Sequence, residues 1–587
     1  MMINRRKRLN KTLSRIKDLA GPHKVLIIKA SILAVVIELI NLLKPYLIKI
    51  AIDDYFALGI IIKNGFSVYT LMCIYIVLVI LGNALDFYNM MRTNLLGEMI
   101  LEELRTKVFR YSQFSNITFH NKISAGSLYV RIINDVDDVS YMFKDVITSL
   151  FRDVLSIIII FIVLFIINWK IALLILFIMP LAITVTKLLS NQINRIYKAS
   201  KIVRAKINSF LAESIYGAKV IKVFNIQQEK QKELESLTKE FVKTRVPSSI
   251  YEALLPGFMY SLRYFTISII VYISALNLFG ISVNVGLIYV LIDYIAQLYR
   301  PIYSIVENIE TIQDAVVSIN KLYDMLDEKE YLEDFDNGKK LKNVIGKLEF
   351  KNVWFAYKKD KWVLKDISFV IEPGETIALV GKTGAGKTTI ISLVNRFYDI
   401  QRGEILLDGV NIKNYKLEDL RKRVGIVLQD PFIFNETIID NIKLNKKLSK
   451  TEINDAIEMA SASYFVNSQP NGVYEMAEER GDNFSVGQKQ LIAFARIFAH
   501  NPDIFVLDEA TANIDTNSEK AIQKSIDILS KEKTAIFIAH RLATIVNVDK
   551  ILVLKDGEII ESGSHTELLN EGGYYSKLYN AYYQSNE

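Results

Sequence analysis

Six apolar runs, each long enough to cross a lipid bilayer, punctuate the first half of this 587-residue chain. An α-helix needs about 20 apolar residues to cross the roughly 30 Å of hydrocarbon in a membrane. Buried core helices of a soluble protein are also apolar, but six runs of this length make that alternative a poor one. The predicted membrane-spanning helices lie near residues 25–48, 66–88, 146–168, 170–190, 252–278 and 284–306.

The charges between these runs predict the orientation of the chain in the membrane. Residues 1–24 carry eight basic side chains against one acid, Asp18, and basic flanking segments stay in the cytosol. The two loops on that side, about 89–145 and 191–251, are long and charged, whereas the outer loops are short and poor in basic residues. We therefore expect a basic cytosolic N-terminal segment and an all-α transmembrane domain of six helices over 25–317.

The two inner loops have the apolar spacing of long helices, as residues 99–104 and 207–215 illustrate. About 25 residues out and back, at a rise of 1.5 Å per residue, make helical arms roughly 40 Å long. Breaks near 124–126 and 216–217 mark the tips of the arms. We expect a short helix at such a tip to contact a cytosolic domain.

Composition excludes several classes of protein. Hydrophobic residues make up 51% of the chain and charged residues 23%, which excludes a disordered or collagen-like chain. The net charge is +7, and the N-terminal segment holds about the whole surplus. We therefore expect no nucleic-acid partner, because the rest of the chain is near neutral. The single cysteine, Cys73, lies in an apolar run and is expected to be a buried core thiol.

Residues 318–346 have the composition of a linker. An acidic run fills its middle and is followed by Lys339 and Lys340. We interpret this run as solvated charge with no special role. Its acidic residues are Asp327, Glu328, Glu330, Glu333, Asp334 and Asp336.

From about residue 347 to residue 587, short β-type runs alternate with helical ones. Nearly continuous apolar strands bounded by helices indicate a buried, mostly parallel sheet in an α/β domain. The clearest predicted strands are residues 376–380, 425–428, 504–507 and 535–539.

The strongest chemical signal is a Gly-x-x-x-x-Gly-Lys-Thr segment that follows a predicted strand and opens a helix. In this context the glycines let backbone N–H groups converge on phosphate oxygens, and the helix N-terminus adds partial positive charge. Lys387 is expected to reach the β- and γ-phosphates, and the Thr388 hydroxyl to ligate Mg²⁺. A glycine-rich turn is the plain alternative. The residues assigned to nucleotide binding here are Gly381, Lys382, Thr383, Gly384, Ala385, Gly386, Lys387, Thr388 and Thr389.

A second signal is an apolar strand that ends in two carboxylates, Asp508 and Glu509. Asp508 suits Mg²⁺, through a bridging water, and Glu509 is placed to polarise the water that attacks the γ-phosphate. An acidic pair at a strand end is weak evidence alone. Joined to the phosphate loop, it favours nucleotide hydrolysis.

Residues 483–490, between these two signals, resemble the signature sequence of ATP-binding cassette (ABC) proteins. Glu479–Arg480–Gly481 resembles the stretch that faces the transmembrane arms in exporters of this family. The further residues that match are Tyr357 (adenine stacking), Gln429 (the Q-loop, with catalytic and metal roles), Ser485, Gly487 and Gln488 (signature contacts to phosphate), Asp515 (the D-loop) and His540 (the catalytic switch histidine).

Six spans ahead of one cassette, with two long inner arms, are similar to an ABC exporter half-transporter. The resemblance implies an α/β P-loop ATPase domain with a helical subdomain over 347–587, and ATP with Mg²⁺ as its ligands. Two positions depart from the usual signature: Val486 replaces its first glycine, and Phe484 its leucine. Glu478 stands where exporters often have glycine. Val486 is expected to tune the site without abolishing it.

In this family ATP is sandwiched between the phosphate loop of one cassette and the signature of another. The resemblance therefore implies a second half-transporter chain as partner, in a homodimer or in an asymmetric heterodimer. It implies an ATP-driven exporter in the plasma membrane of a bacterium, working by alternating access. An ATP-gated channel or regulatory protein on the same scaffold is the alternative. A soluble ABC ATPase acting on nucleic acid is excluded by the six spans.

The cargo is least constrained by the sequence. Charges within membrane spans are costly unless they are paired or face a cavity. Glu38, Arg263 and Asp293 are therefore candidates for cargo contacts, although an interhelical pair of Arg263 with Asp293 is an equal alternative. Both charge signs and many aromatic residues suit amphipathic drugs, lipids or peptides. The tyrosines near these charges are Tyr260, Tyr264, Tyr289 and Tyr294.

Overall fold

The chain divides into two compact units, each described here by itself. The first contains Met1–Gln113 and Ile123–Glu330, and the second contains Phe114–Lys122 and Tyr331–Glu587. The computed structural model describes residues 2–57, 61–63, 66–276, 284–331, 333, 335, 338–341, 344–508, 516–538 and 545–582.

Long helices build the N-terminal half. Three π-helical turns, Ala51–Phe56, Arg131–Asp135 and Met142–Val146, join some of them, and a hairpin of β1 (Ile62–Lys63) and β2 (Phe66–Ser67) follows the first turn. The helices are α1 (Met2–Ala20), α2 (Lys24–Ile50), α3 (Val68–Gln113), α4 (Ile117–Lys122), α5 (Ala125–Val130), α6 (Val136–Tyr141), α7 (Ile147–Tyr216), α8 (Ala218–Val223), α9 (Gln227–Ala275) and α10 (Val285–Asp327).

Five helical stretches of the described residues are long and apolar enough to cross a membrane. The longest of them contains both the third and the fourth predicted spans, which α7 carries on either side of a break. At Asn168 the backbone is extended, with φ −159° and ψ 102°. The Asn168 side chain accepts hydrogen bonds from the backbone N–H of Lys170 (3.1 Å) and of Ile171 (3.4 Å). This side chain therefore caps a new helix, because it satisfies N–H groups that have no helical partner.

The core of the first unit lies between α7, α9 and α10. Ile160, Leu164 and Ile171 of α7 pack in one cluster with Val290 and Leu298 of α10, each 2% exposed or less. Elsewhere the apolar side chains of the helices point outward, as in the apolar window of α3, of which only 6% is buried. An outward apolar face of this kind suits contact with lipid chains.

The expectation of a buried thiol at Cys73 is wrong, because Cys73 is exposed on α3. It lies on the outward apolar face of that helix. An apolar run in a membrane domain does not imply a protein core, since lipid is as apolar as a leucine side chain.

The acidic run of the predicted linker is not only solvated charge. Helix α10 continues to Asp327, which accepts a 2.8 Å hydrogen bond from the buried guanidinium of Arg15 in α1. In the second unit, Glu333 accepts two hydrogen bonds from Arg421, at 2.7 and 2.8 Å. The interpretation of this run as charge without a role is therefore wrong for Asp327 and Glu333.

Two sheets build the second unit. The larger has the strand order β12-β11-β5-β10-β9-β8, and only the pairing of β11 with β12 is antiparallel. The smaller is antiparallel, with the order β4-β3-β6-β7. The strands are β3 (Leu348–Phe355), β4 (Leu364–Ile371), β5 (Thr376–Val380), β6 (Arg402–Leu407), β7 (Val410–Asn411), β8 (Val424–Val427), β9 (Ile504–Asp508), β10 (Thr534–Ile538), β11 (Lys550–Lys555) and β12 (Glu558–Gly563).

The predicted strands are β5, β8, β9 and β10, and they lie side by side in the larger sheet. The residues of β5, β9 and β10 are almost all buried, as expected for parallel strands covered on both faces. In β8, at the edge of the sheet, two of the four residues are half-buried. The smaller antiparallel sheet was not predicted. Its strands alternate buried and exposed residues, a weaker signal than a continuous apolar run.

Helices cover the larger sheet. In a mainly helical part of the unit, α13 and α14 pack against α16, and α15 packs against the turn Gly472–Tyr474. The membrane-spanning helical domain joined to an α/β ATPase-like domain confirms the predicted fold class. The labelled helices are α11 (Lys387–Val394), α12 (Leu417–Arg423), α13 (Ile438–Lys443), α14 (Lys450–Met459), α15 (Ser463–Ser468), α16 (Val486–His500) and α17 (Thr516–Glu532). Helices His565–Asn570 and Tyr574–Tyr582 follow, and short 3₁₀ turns lie at Lys329–Tyr331, Ile412–Asn414, Gly472–Tyr474 and Glu479–Gly481.

Candidate nucleotide-binding site

The phosphate loop and the acidic strand end lie at one edge of the larger sheet. Strands β5 and β9 are both parallel to β10, which lies between them. Ile538 of β10 is aligned with Leu379 on one side and with Asp508 on the other. Because parallel strands end at the same edge, the loop after β5 and the carboxylate that ends β9 are brought together.

The loop fits tightly around two of its glycines. Gly386 has φ 106° and precedes α11, and a Cβ there would lie 2.5 Å from Leu364 Cδ2. A Cβ on Gly381 would lie 2.3 Å from the carbonyl oxygen of Leu554. Between them the loop is exposed at Lys382, Thr383 and Gly384 and buried at Ala385. The backbone thus forms a concave loop at a helix N-terminus, which is the arrangement that binds phosphate.

Lys387 is the most buried charge of this site, with 7% of its surface exposed. Its ammonium donates hydrogen bonds to the carbonyl oxygens of Gly381 (2.6 Å) and Lys382 (3.2 Å). Burial lowers the pKa of Lys387, and the nearby Asp508 carboxylate opposes that shift. The loop therefore holds a poorly hydrated cation directly beneath its own backbone, where a phosphate would compensate it.

Tyr357, the predicted adenine-stacking residue, lies beside this loop. Its hydroxyl is 3.1 Å from that of Thr389 in α11, and half of the residue is exposed. The rings of Phe355 and Tyr398 pack edge-on against it, with centroids 4.9 and 5.1 Å away. Two aromatic neighbours therefore hold the Tyr357 ring, and α11, the helix that follows the phosphate loop, holds its hydroxyl.

Sequence reasoning missed Tyr398 and its partner in the first arm. The side-chain amide of Asn121, in α4, donates a 2.6 Å hydrogen bond to the Tyr398 hydroxyl. In addition, the backbone N–H of Asn116 donates to the carbonyl oxygen of Tyr331 at 2.7 Å. The short helix α4 at the tip of the first arm thus contacts the α/β domain, as expected, since α4 belongs to the second unit. The cytosolic location of that domain stays a prediction.

The oxygen donors proposed for Mg²⁺ are a threonine hydroxyl, an amide and a carboxylate. Thr388 is exposed at the first turn of α11, Gln429 is exposed just after β8, and Asp508 ends β9 half-buried. Hard oxygen donors of this kind suit Mg²⁺, which keeps several water ligands and needs few from the protein. The residues present therefore fit a nucleotide-bound Mg²⁺. Among the described residues there is no separate group of three or more His, Cys, Asp or Glu side chains that could hold a metal ion.

The predicted signature segment forms the beginning of α16. The Ser485 hydroxyl accepts a hydrogen bond from the Gln488 N–H (3.3 Å), and the Gln488 side chain accepts one from the Ser485 N–H (2.9 Å). This reciprocal cap uses N–H groups that would otherwise lack helical partners. Ser485 is exposed and Gly487 is buried. The cap presents the Ser485 side chain at the N-terminus of a helix of 15 residues, where an anion is favoured.

The two departures from the usual signature have different environments. Phe484 is 5% exposed and packs edge-on against Phe465, with centroids 5.4 Å apart, so it fills a core position. Val486 is 44% exposed at the first turn of α16. Glu478 lies in the loop before the signature, where its backbone N–H donates to Asn483 Oδ1 at 3.0 Å. Of these three, only Val486 and Glu478 are placed to affect a surface contact.

Three predicted residues, Glu509, Asp515 and His540, lie outside the described residues. Their roles remain predictions. Gln429 is described, and its carbonyl oxygen lies 3.5 Å from Gln490 Nε2 of α16. The described hydrogen bonds of Ser485 and Gln488 do not involve the phosphate loop of the same chain.

Arg496 of α16 is a second group that sequence reasoning missed. Its guanidinium donates to the carbonyl oxygen of Phe432 (2.7 Å) and to the backbone and side-chain oxygens of Asn441 (2.6 and 2.8 Å). Burial lowers the pKa of Arg496 to about 10. Asn441, which is fully buried, also bonds both backbone groups of Phe434. The network ties the segment after Gln429 to the signature helix.

Comparisons with known proteins agree on one family. The family model for the ABC transporter transmembrane region matches residues 27–302, and the ABC transporter model matches residues 364–512. A putative ABC transporter ATP-binding protein, exp8, of Streptococcus pneumoniae is 34% identical over 87% of this chain and 88% of its own length. A putative multidrug export ATP-binding/permease protein, YgaD, of Bacillus subtilis is 31% identical over 97% of this chain and 98% of its own.

A solved structure extends the comparison to the fold. The structure of a bacterial Atm1-family ABC exporter with ATP bound is 25% identical and superposes with a TM-score of 0.79. The match covers 95% of this chain and 98% of that one. Sequence and fold therefore agree over nearly the whole length of both chains.

Proposed function

The chain belongs to the ABC transporter family, and from that membership we propose that it exports amphipathic compounds as one half of a two-chain ATP-driven pump. It is a membrane protein that couples an ATPase to transport. The direction, the class of cargo, the partner and the plasma-membrane location in a bacterium are the proposed parts. The observation that carries the proposal is that a nucleotide-site loop and membrane-length helices are parts of one chain.

The relatives support export and an amphipathic cargo. One is named for multidrug export, and the solved neighbour is an exporter with ATP bound. Both match nearly the whole of this chain, so the proposal does not depend on a shared ATPase domain alone. An apolar outward surface with charges inside the first unit suits cargo that has both apolar and polar parts.

The proposed partner is a second half-transporter chain. Each chain supplies one phosphate loop and one signature helix, and in this family the two come from different chains at each ATP. The γ-phosphate would then join Lys387 of one chain to the Ser485 helix cap of its partner. Bound ATP stabilises the paired state, and hydrolysis removes that stabilisation, so nucleotide turnover shifts the equilibrium between two conformations. Self-pairing is our first proposal, and an asymmetric heterodimer is the alternative, since Val486 departs from the signature.

In the proposed hydrolysis Lys387 binds the β- and γ-phosphates, and Glu509 polarises the attacking water. Gln429 and His540 contact the γ-phosphate, and Asp515 lies at the chain interface. Thr388, Gln429 and Asp508 would hold Mg²⁺, whose charge offsets the negative charge that develops on the phosphates. Tyr357 stacks on the adenine and fixes the nucleotide's orientation.

The proposal is tested with the full chain expressed alone and placed in inside-out membrane vesicles. We expect ATP-dependent accumulation of an amphipathic fluorescent dye inside these vesicles, and no accumulation in vesicles that carry Glu509→Gln. That variant should still bind ATP, because it keeps the phosphate loop. Its hydrolysis should fall by about 10²-fold or more, as for loss of a general base.

Three results would decide against parts of the proposal. A dye gradient that only dissipates on addition of ATP indicates an ATP-gated channel, since a channel cannot concentrate its substrate. A purified chain that is monomeric and lacks ATPase activity, but gains both with a second chain, indicates the asymmetric pair. Full turnover by the Glu509→Gln variant would remove Glu509 from catalysis.

A further inference from the structure

The chain enters the second unit at two places, residue 114 and residue 331. We call residues 114–116, and the described residues 331, 333 and 335, the crossing segments. Their backbones pair through two hydrogen bonds, from the Asn116 N–H to the Tyr331 carbonyl oxygen (2.7 Å) and from the Glu333 N–H to the Phe114 carbonyl oxygen (2.9 Å). The chain therefore arrives from α3 and from α10 at one place in the second unit.

Arg421 of α12 holds the crossing segment that follows α10. Its guanidinium donates two hydrogen bonds to the Glu333 carboxylate, at 2.7 and 2.8 Å, in the two-pronged geometry that makes arginine pairs strong. Only 11% of the Glu333 side chain and 25% of the Arg421 side chain are exposed, so solvent screens this pair less than a surface ion pair. The guanidinium also lies 5.9 Å from the centroid of the Phe335 ring, which packs edge-on against Phe114 at 5.7 Å. Arg421 thus holds one crossing segment directly and the other through it.

The same guanidinium caps the C-terminal end of α11, the helix that begins at the phosphate loop. Its Nε donates to the carbonyl oxygen of Asn395 (3.4 Å) and its Nη2 to that of Arg396 (3.3 Å), and the centroid of the Phe397 ring lies 5.3 Å away. Carbonyl groups at this end of a helix lack helical partners, and the helix dipole favours a cation there. Since α11 has 8 residues, only about 12 Å separate this end from the phosphate loop.

The neighbouring cations of α12 have other partners. Lys422 pairs with Glu418, one turn earlier in the same helix, and Arg423 pairs with Asp503, just before β9, at 3.1 Å. The contacts of Arg421 join three separate segments: α12, the end of α11 and a crossing segment.

A bound nucleotide acts on the other end of α11. Lys387, its first residue, is the buried cation beneath the phosphate loop, and a phosphate attracts such a poorly hydrated charge strongly. The backbone hydrogen bonds of a helix make it move as a unit, so a shift at Lys387 also reaches the carbonyl oxygen of Asn395. Rigid elements of this kind carry energetic coupling between sites.

We propose that Arg421 is a positioning residue that transmits nucleotide binding from α11 to both crossing segments. The inference rests on the proposed export function and adds to it the residue by which the phosphate-loop helix holds the chain that arrives from α3 and α10. Arg421 is not a catalytic residue, because its contacts are to Glu333, the end of α11 and two phenylalanine rings. The hydrogen bond between Asn121 and Tyr398 uses other residues, so the two connections are tested separately.

The test is amide hydrogen exchange of the full-length protein in lipid nanodiscs, measured with and without a non-hydrolysable ATP analogue and Mg²⁺. It does not require the chain to pump. In the wild type we expect the analogue to slow exchange about threefold or more in peptides that cover 114–116 and 331–335, because exchange reports local opening and a ligand stabilises the segments linked to its site. In Arg421→Met the ratio of the two rates should fall to about 1.5 or less.

This ratio separates positioning from a merely structural role. A general loss of stability raises exchange with and without the analogue alike, so it leaves the ratio unchanged. The affinity of Arg421→Met for the analogue should stay within about threefold of wild type, because by reciprocity the loss of a connection costs no more than the coupling that it carried.

Two further variants and a control sharpen the test. Glu333→Gln keeps the shape and the backbone hydrogen bond of Glu333 but removes its charge, and the analogue should slow exchange in it as little as in Arg421→Met. Arg421→Lys keeps the charge but not the fixed fork of donors, and it should keep part of the slowing. Arg423→Met is the matched control, because it removes the neighbouring ion pair of the same helix, with Asp503; its ratio should equal that of the wild type.

Several results would overturn the proposal. They are a wild type in which the analogue slows nothing in the crossing segments, a wild-type ratio in either Arg421→Met or Glu333→Gln, and an equal loss of slowing in Arg423→Met. A loss of affinity in Arg421→Met far beyond threefold would place Arg421 in the nucleotide site and would also contradict it. If Arg421→Met does not fold, Glu333→Gln decides by the same ratio.

Failure of this inference and failure of the export proposal give different results. A protein that concentrates dye with ATP, yet keeps the wild-type exchange ratio in Arg421→Met, pumps without this connection. A protein whose ratio depends on Arg421, but which never concentrates dye in vesicles, has the connection without being a pump.

Discussion

The side-chain amide of Asn121 donates a 2.6 Å hydrogen bond to the hydroxyl of Tyr398, across 277 positions of the sequence. The Tyr398 ring in turn packs edge-on against Tyr357, the residue predicted to stack on adenine. Asn121 belongs to α4, which follows directly after the long helix α3 in the chain. One hydrogen bond and one ring contact therefore connect the tip of the first arm to the nucleotide site.

We predict that Asn121→Ala and Tyr398→Phe each reduce the stimulation of ATPase activity by transported compounds, about two- to fivefold. The reason is that either change removes the same hydrogen bond, which is worth about 1 kcal/mol. Basal ATPase activity should change less, because the Tyr357 ring keeps its contact with the Phe355 ring. The measurement is ATPase activity in nanodiscs with and without a stimulating compound.

The double variant provides the control for this contact. If the two residues act through one bond, Asn121→Ala with Tyr398→Phe should be no worse than either single variant. Losses that simply multiply would mean that the two side chains act independently, and the proposed connection would then be wrong.

Lys387→Ala should weaken ATP binding by about ten- to a hundredfold, because the charge-assisted contact proposed between its ammonium and phosphate is worth about 1.5–3 kcal/mol. Burial has already removed much of the hydration of this ammonium. Equilibrium binding of a fluorescent ATP analogue measures the effect. Lys382→Ala is the matched variant in the same loop, and it should weaken binding far less, since Lys382 is exposed and contributes through its backbone.

The motifs that lie close together in sequence were predictable, and the contacts between distant segments were not. Strand β5, the phosphate loop and α11 follow one another, so apolar pattern and glycine spacing reveal them together. Asn121 and Tyr398 have ordinary local surroundings, and only the fold brings them together. Arg496 is a similar case. An arginine in an amphipathic helix is expected to face solvent, yet the Arg496 guanidinium is hydrogen-bonded by the segment 432–441.

Charges in the membrane segments show where sequence reasoning reached its limit. Their position inside predicted membrane spans singled out Glu38, Arg263 and Asp293, because a charge in a span needs an explanation. The structure places Glu38 and Asp293 at one cavity and directs Arg263 to two tyrosine rings. The pairing of Arg263 with Asp293 is not among the ion pairs of the described residues. Which face of a helix meets which neighbour depends on packing, and the sequence pattern does not specify it.

His500 should make the protein less stable in mild acid. Burial lowers its pKa, as does the nearby Lys446, and its Nε2 lies 3.1 Å from the carbonyl oxygen of Lys443. The unfolded chain therefore binds this proton at a higher pH than the folded protein does. The contribution of neutral His500 to the free energy of unfolding is fully present at a pH above the ordinary histidine pKa of about 6.5. It is lost as the pH drops through that value toward the lower pKa of the folded protein.

The measurement is the melting temperature of the full-length protein at pH 7.5 and pH 5.5. We expect the melting temperature of the wild type to drop more between these pH values than that of His500→Gln. The difference should be roughly 2–4 °C for each kcal/mol of stability that protonation of His500 removes, in a domain of this size. His565, whose pKa burial also lowers, is present in both proteins and so cancels in the comparison. An equal pH dependence in wild type and variant would show that His500 does not contribute.

Arg496→Met should destabilise the ATPase domain by about 2–4 kcal/mol, because it removes the donor to three oxygen acceptors, two of which belong to the fully buried Asn441. The guanidinium stays charged at neutral pH, since its lowered pKa of about 10 is still well above 7. The stability of Arg496→Lys should lie between that of the wild type and that of Arg496→Met, because one ammonium cannot match the fixed geometry of the guanidinium. Thermal unfolding monitors stability, and ATPase activity should fall with it, since the network holds the segment after Gln429.

Lys524→Met, at an exposed position of α17, is the control and should change stability by about 0.5 kcal/mol or less. If Arg496→Met melts at the same temperature as Lys524→Met, the network is not a stabilising element.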